Sequence, residues 1–424
     1  MLPRPVTGGS TRLDPDSPPR GAFSSPDYRR YWFASVALVF GLQFRFIASA
    51  WLVHELTESP FWLGVPGVVS GLITIALLVP AGALADRVDC QRLLAWGRAF
   101  TGVLNLALAL AVVAGVVTLW MVVAWAALGG ALAALTNPSQ QALLPRLVQR
   151  EAMPSAVALN TAVWNGMRIV GPALAGLSIA ALGVGQALFV TVGGYALSTY
   201  LIASLRLKPV ERDEEGGGDE GALAGLRYVL SNPIFFAVIG LSFFASLFGR
   251  SYVVLLPVFA DDILQVGVRG FGWLEAAAGV GGLVGTLAIV RIRIGRHTGA
   301  AMVGGAVVFG LCIGAFSASR ELGLSMGLLF AAAFFASIYL NLGMTTLQLL
   351  VPDRLRGRVM GIWGLTWFLA PAGGFLVASL AEWLGAPSAV ALGALAVSAF
   401  GLLVYFTSAE LRAIPSREEV SRAG

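Results

Sequence analysis

Twelve long apolar runs dominate this chain, and no other feature limits its fold as severely. They lie at 31–54, 60–85, 92–114, 117–140, 154–181 and 184–205, then at 233–260, 268–290, 299–317, 322–350, 359–381 and 386–408. Crossing the hydrocarbon of a bilayer takes about 20 apolar residues per helix. Lipid offers the backbone no hydrogen-bond partners, so such runs satisfy their N–H and C=O groups internally as helices. Of the 424 residues, 57% are hydrophobic and 12% charged, whereas a soluble domain has about 25% charged residues. A soluble enzyme, a secreted disulfide scaffold and a single-anchor receptor are excluded. The expected fold is an all-α membrane protein with twelve transmembrane helices.

The basic residues are sorted by side. Twenty-three Lys and Arg fall on one set of flanks, among them Arg87, Arg92 and Arg98 around the start of the third run and Arg146 and Arg150 before the fifth. The opposite flanks hold Arg269 and Arg320 beside Glu55, Glu58, Asp261, Asp262, Glu321 and Glu382. Cytoplasmic loops carry the excess of Lys and Arg, so both termini are expected in the cytoplasm. The net charge of +5 is therefore topology and implies no nucleic acid. Cys90 and Cys312 lie far apart, and with His54 and His297 they suggest no metal or haem site.

Residues 1–28 are rich in Pro, Gly and Ser, with no apolar core of a cleavable signal peptide; a disordered cytoplasmic tail is expected there. A first six-helix bundle then occupies 29–206 and a second 233–408, with a cytoplasmic tail at 409–424. Between the bundles, 207–232 holds Glu211, Asp213, Glu214, Glu215, Asp219 and Glu220 around Gly216–Gly218. That reads as a solvated acidic linker, followed by a short amphipathic helix over Leu223–Leu230.

The two bundles repeat one another. Arg45 in the first run matches Arg250 in the seventh, and Gln141-x-x-x-Pro145 matches Gln348-x-x-x-Pro352. Pro172 pairs with Pro371 if the second half has a connection about eight residues shorter. Six helices separate the copies, so the repeats are parallel. Parallel repeats build a large transporter class whose substrate site lies near the midplane between the halves.

Two motifs stand out. Gly82-Ala83-Leu84-Ala85-Asp86-Arg87-Val88-Asp89-Cys90-Gln91-Arg92 joins the second and third runs. Gly82 leaves room for an approaching backbone, and Asp86 is an anion suited to a helix N-terminus or an arginine. Gly82, Asp86, Arg87 and Arg92 are the expected cytoplasmic gate. Gly166-Met167-Arg168-Ile169-Val170-Gly171-Pro172-Ala173-Leu174-Ala175-Gly176 lies in the fifth run. Its Gly166, Gly171, Pro172 and Gly176 are expected to permit close helix packing and a kink.

The first motif resembles the loop 2–3 signature of the major facilitator superfamily, with Asp89 where a glycine is usual and Cys90 and Gln91 where basic residues are usual. The second resembles an element common in exporters of that superfamily. Trp51-Leu52-Val53-His54-Glu55-Leu56-Thr57-Glu58-Ser59-Pro60, Asn137–Pro145 and Val351–Met360 resemble the bacterial enterobactin-exporter-like and macrolide-efflux subgroup. The resemblance implies a proton-driven exporter of small amphiphilic molecules.

Charged residues inside spans hold the remaining chemistry. Arginine at mid-span costs about 2.5–3.5 kcal/mol, so it faces a cavity or a partner. Arg45 and Arg250, with Gln43 and Asn341, are the expected substrate-cavity residues. Glu275, the clearest intramembrane carboxylate, is the proton-coupling candidate, against a structural Glu275–Arg250 salt bridge. Arg168 has no evident acidic partner and is assigned a structural role near Asn165. No Gly-rich phosphate loop is present, so no cofactor is expected and the proton gradient supplies the energy. The expected partners are a small-molecule substrate, protons and the lipid bilayer, for a monomer in the inner membrane of a bacterium. Import of a metabolite or lipid flipping on the same fold is the alternative, and a membrane-embedded lipid-modifying enzyme a remote one.

Overall fold

The computed structural model of the chain describes residues 21–206, 222–289 and 298–408. All regular structure among them is helical. Twelve helices are long and apolar enough to cross a membrane. Spans 1 to 6 are Pro26–Thr57, Pro60–Arg87, Cys90–Val113, Leu119–Leu143, Met153–Leu182 and Val184–Ala203. Spans 7 to 12 are Pro233–Ile263, Gly267–Ile289, Thr298–Ala318, Leu322–Leu350, Gly357–Leu384 and Ala386–Thr407. The short helix Ala222–Ser231 precedes span 7; the acidic run before it and the tail at 409–424 lie outside the described residues.

Apolar side chains cover the outer surface, as a lipid solvent demands. Trp383, at the end of span 11, is 87% exposed, and Trp120, Tyr200 and Phe406 also point outward near span ends. Aromatic residues favour that depth because their rings bridge hydrocarbon and water. Inside the protein, small residues bring backbones together.

Backbone geometry repeats between the halves in a way side chains did not reveal. Span 1 ends at Glu58 and span 7 near Gln265, both with positive φ (50° and 55°). Spans 5 and 6 are joined through Gly183 (φ 90°), and spans 11 and 12 through Gly385 (φ 78°). Glycine takes this conformation without the Cβ penalty. Measured from those turns, Pro172 stands eleven residues before Gly183 but Pro371 fourteen before Gly385. The expected Pro172–Pro371 pairing is thus out of register by nearly one helical turn.

Span 7 is not a continuous α-helix. Five-residue π segments occupy Ala245–Gly249 and Phe259–Ile263, and Arg250 follows the first. Its backbone N–H donates to the Ala245 carbonyl at 2.9 Å. Such bulges rotate the following side chains and concentrate at functional sites.

The N-terminal boundary corrects the expected tail. Residues 1–20 lie outside the described set, but Ala22–Ser24 form a 3-10 turn and span 1 begins at Pro26. Ser25 caps it, accepting from the Tyr28 N–H. Tyr28 is fully buried and its hydroxyl donates to the Ala156 carbonyl at 2.9 Å. Aromatic burial anchors residues that composition alone assigned to a disordered tail.

Candidate functional site

The halves are closed against each other at the end of the bundle remote from the chain termini. There span 5 crosses span 8: a methyl on Gly272 would lie 2.6 Å from the Pro172 carbonyl oxygen, and one on Gly176 2.7 Å from that of Val268. The pseudo-equivalent crossing sets Gly64 of span 2 against span 11, where a methyl would meet the Phe375 Cα at 2.7 Å. Only glycine permits these approaches. Polar contacts reinforce the seal. His54, 6% exposed, shares a hydrogen bond between Nε2 and Asp261 Oδ2 at 3.3 Å, with Asp262 Oδ1 at 3.9 Å. The Ser59 hydroxyl donates to Glu382 Oε2 at 2.8 Å.

His54, Asp261 and Asp262 offer donor atoms within 4.8 Å of one another, though both carboxylates are exposed. Their positions 207 and 208 residues apart in sequence hid this meeting of spans 1 and 7.

Directly beneath the seal lies a charged cluster. Glu275 of span 8 is within electrostatic reach of Arg168 in span 5 and Arg250 in span 7. Its Oε1 is buried without a hydrogen-bond partner. Arg168 is solvent-exposed although mid-span, and its electrostatic neighbours Arg250, Glu275 and Tyr252 set its head between the halves. The sequence left Arg168 without an acid. The fold supplies one, because Gly279 lets span 8 rest on the Arg168 carbonyl, where a methyl would come within 2.6 Å.

Toward the termini, a cavity of about 700 Å³ opens along spans 1 to 6. Arg45 and Thr74 line it at mid-bundle, Asn137 and Gln141 at the terminal end of span 4, and Phe368 reaches it from span 11. Arg45 packs its guanidinium over the Trp125 ring, 5.1 Å from the centroid, and Trp125 donates to Asn105 Oδ1 at 3.1 Å.

Of the four expected cavity residues, Arg45 lines this space and Arg250 joins the charged cluster. Gln43 instead donates to the Met167 carbonyl at 3.3 Å, bracing span 1 against span 5 where Gly171 leaves room for it. Asn341 donates along its own helix to the Ser337 carbonyl at 2.8 Å.

The helix-5 motif is only partly a packing device. Gly171 and Gly176 face close neighbours and Pro172 is buried, but a methyl on Gly166 would meet nothing within 4 Å. Gly82 is equally open, with no backbone of the described residues near it. The side chains of Asp86 and Arg87 lie outside the described set, and Arg92 is exposed.

The unusual residues of that loop tie the first bundle together. Asp89 caps span 3, accepting from the Arg92 N–H at 2.9 Å. Gln91 donates to the carbonyls of Ile202 at 2.9 Å and Leu205 at 2.8 Å, and Arg146 donates to Cys90 Sγ at 2.7 Å.

Arg98 is the functional-type residue that sequence reasoning misplaced. Grouped with the basic flank, it stands eight residues into span 3, roughly 12 Å along the helix at 1.5 Å per residue. It is 3% exposed and lines the cavity. An arginine near a span end reads as a loop charge, and only its inward helical face shows otherwise.

Two six-helix halves, sealed at one end over a cavity that opens toward the other, define a membrane transporter. A family model described as "Transmembrane secretion effector" matches residues 18–423. The chain belongs to that family, within the major facilitator superfamily. It is 26% identical over 384 residues to the enterobactin exporter EntS of Shigella boydii, covering 89% of this chain and 90% of the relative. The same protein of Escherichia coli matches equally. Among solved structures, a bacterial homologue of the human lysosomal transporter Spinster superposes with a TM-score of 0.70 at 14% identity, over 92% of this chain and 100% of that one. The nucleoside transporter NupG superposes with a TM-score of 0.68 at 12% identity, over 90% and 99%.

Proposed function

We propose that this protein exports a small amphiphilic molecule across the inner membrane of a bacterium by alternating access, driven by protons. The observation that carries the reading is the one-sided seal. Glycine crossings and the His54–Asp261 contact close one end of the halves, while the cavity at Arg45 extends toward the other. The asymmetry of basic residues supports a cytoplasmic open end, the side from which an exporter loads its cargo. The similarity to enterobactin exporters supports the outward direction and weighs against the import and enzyme readings.

Glu275 is the coupling residue. Its carboxylate attracts Arg168 across the join between halves and Arg250 within its own half, and protonation removes both attractions. Loss of a charge at this point changes the relative energy of the closed and open seams, which is what coupling requires. Arg45 and the apolar wall around it hold the cargo.

The test is a susceptibility panel in an efflux-deficient host, with uphill efflux from cells under an imposed proton gradient. Glu275→Gln abolishes proton-driven efflux while the protein still reaches the membrane. Intact uphill efflux in that variant overturns the coupling assignment. Asp86→Asn slows turnover if the loop 2–3 gate operates; unchanged turnover removes it.

A further inference from the structure

We infer that the cavity shared by Arg45 and Arg98 is an anion site, and that the molecule it takes carries a carboxylate, phosphate or similar acidic oxygen group on an apolar body. The inference rests on the transport reading only for calling that molecule cargo; the site itself is argued from geometry.

Arg98 is buried, and no described residue compensates its charge. Nη1 donates to Ser198 Oγ at 2.6 Å. That hydroxyl in turn spends its proton on the Ala34 carbonyl at 2.8 Å. Among the described residues, buried Nε and Nη2 find no hydrogen-bond partner. Among the described residues the electrostatic neighbours of Arg98 are the phenols of Tyr31 and Tyr195, with no carboxylate. A guanidinium has five N–H donors in a fixed fork suited to a carboxylate or phosphate, and here most of that fork is unanswered.

Arg45 adds a second cation to the same wall. It stacks on Trp125, and Gly129 leaves its Nη1 space, since a methyl there would lie 3.7 Å away. Among the described residues Arg45 has no carboxylate at ion-pair distance. The cavity lining contains both arginines and neither Asp nor Glu. Two cations in a low-dielectric recess without an anion hold a positive potential that an amphiphilic anion relieves. Apolar neighbours such as Leu38, Leu42 and Trp164 cover the rest of such a molecule.

The experiment measures tryptophan-to-pyrene energy transfer with full-length protein in phosphatidylcholine nanodiscs, empty discs subtracted. The probes are 1-pyrenebutyrate and the neutral 1-pyrenebutanol. Wild type is expected to bind the acid about tenfold more tightly than the alcohol, the scale of one charge-assisted hydrogen bond. Arg98→Gln and Arg45→Gln each remove most of that preference, and Arg98→Lys retains much of it.

Equal binding of acid and alcohol by wild type overturns the inference. So does an undiminished preference in monodisperse Arg98→Gln. If Arg98→Gln fails to fold, the wild-type ratio and Arg45→Gln still decide. Repeating the series with phosphatidylglycerol in the discs separates the sources: Arg98-dependent competition assigns the site to a lipid headgroup, and its absence to free cargo. Acid preference without uphill efflux leaves the anion site standing and removes the transport reading. Efflux without acid preference does the reverse.

Discussion

Gly176 of span 5 and Gly272 of span 8 touch backbone to backbone where the two halves cross: a methyl on either would sit 3.1 Å from the other's Cα. Neighbouring carbonyls are nearer still, so a side chain here has nowhere to go. This contact, and its counterpart at Gly64 and Phe375, decides which end of the protein is shut.

Gly272→Leu therefore wedges the seam open. Overpacking costs about 1–3 kcal/mol, enough to shift a two-state equilibrium by roughly a factor of 5 to 150. Spin labels at Leu56 and Leu384, both exposed, in a chain with Cys90 and Cys312 replaced by serine, report a longer distance than in the unwedged protein. An unchanged distance contradicts the crossing.

His54 and Asp261 form one link of the same seal. His54→Ala and Asp261→Asn each weaken closure by about 1 kcal/mol, and the double variant costs no more than the larger single change. The same label pair measures it. Additive effects show that the two side chains act independently.

The Arg168–Glu275 relationship predicts a partial rescue. Arg168→Gln leaves the buried carboxylate with less compensation, at a cost of about 1 kcal/mol because the guanidinium itself is exposed to solvent. Its thermal midpoint falls accordingly. Adding Glu275→Gln recovers part of that stability without restoring proton-driven efflux. A double variant less stable than Arg168→Gln alone contradicts the pairing.

Tyr28 tests the ordered N-terminal turn. Its hydroxyl donates to the Ala156 carbonyl inside the core, so Tyr28→Phe lowers stability by about 0.5–1.5 kcal/mol through the lost hydrogen bond. Thermal unfolding monitored in detergent gives the value. No change places the hydroxyl outside the core.

Hydropathy is a local property, and lipid enforces it span by span. The number of spans, their bounds to within a few residues and the six-plus-six repeat were all legible in the sequence for that reason. So was Arg45 as a cavity residue, because a mid-span arginine needs a cavity or a partner. Glu275 was recognisable as an intramembrane carboxylate on the same grounds.

Distance between chain-remote atoms has no such local signature. The sequence showed Arg168 as a lone cation and Arg98 as a loop charge. Tertiary packing brought Arg168 to Glu275 across the seam, and turned Arg98 inward beside Ser198, because helix rotation and glycine-permitted approach set which faces meet. The turn register that displaced Pro371 from Pro172, and the closure of one end only, come from the same source. Each depends on two backbones settling against one another, a relation that residue order leaves undetermined until the helices pack.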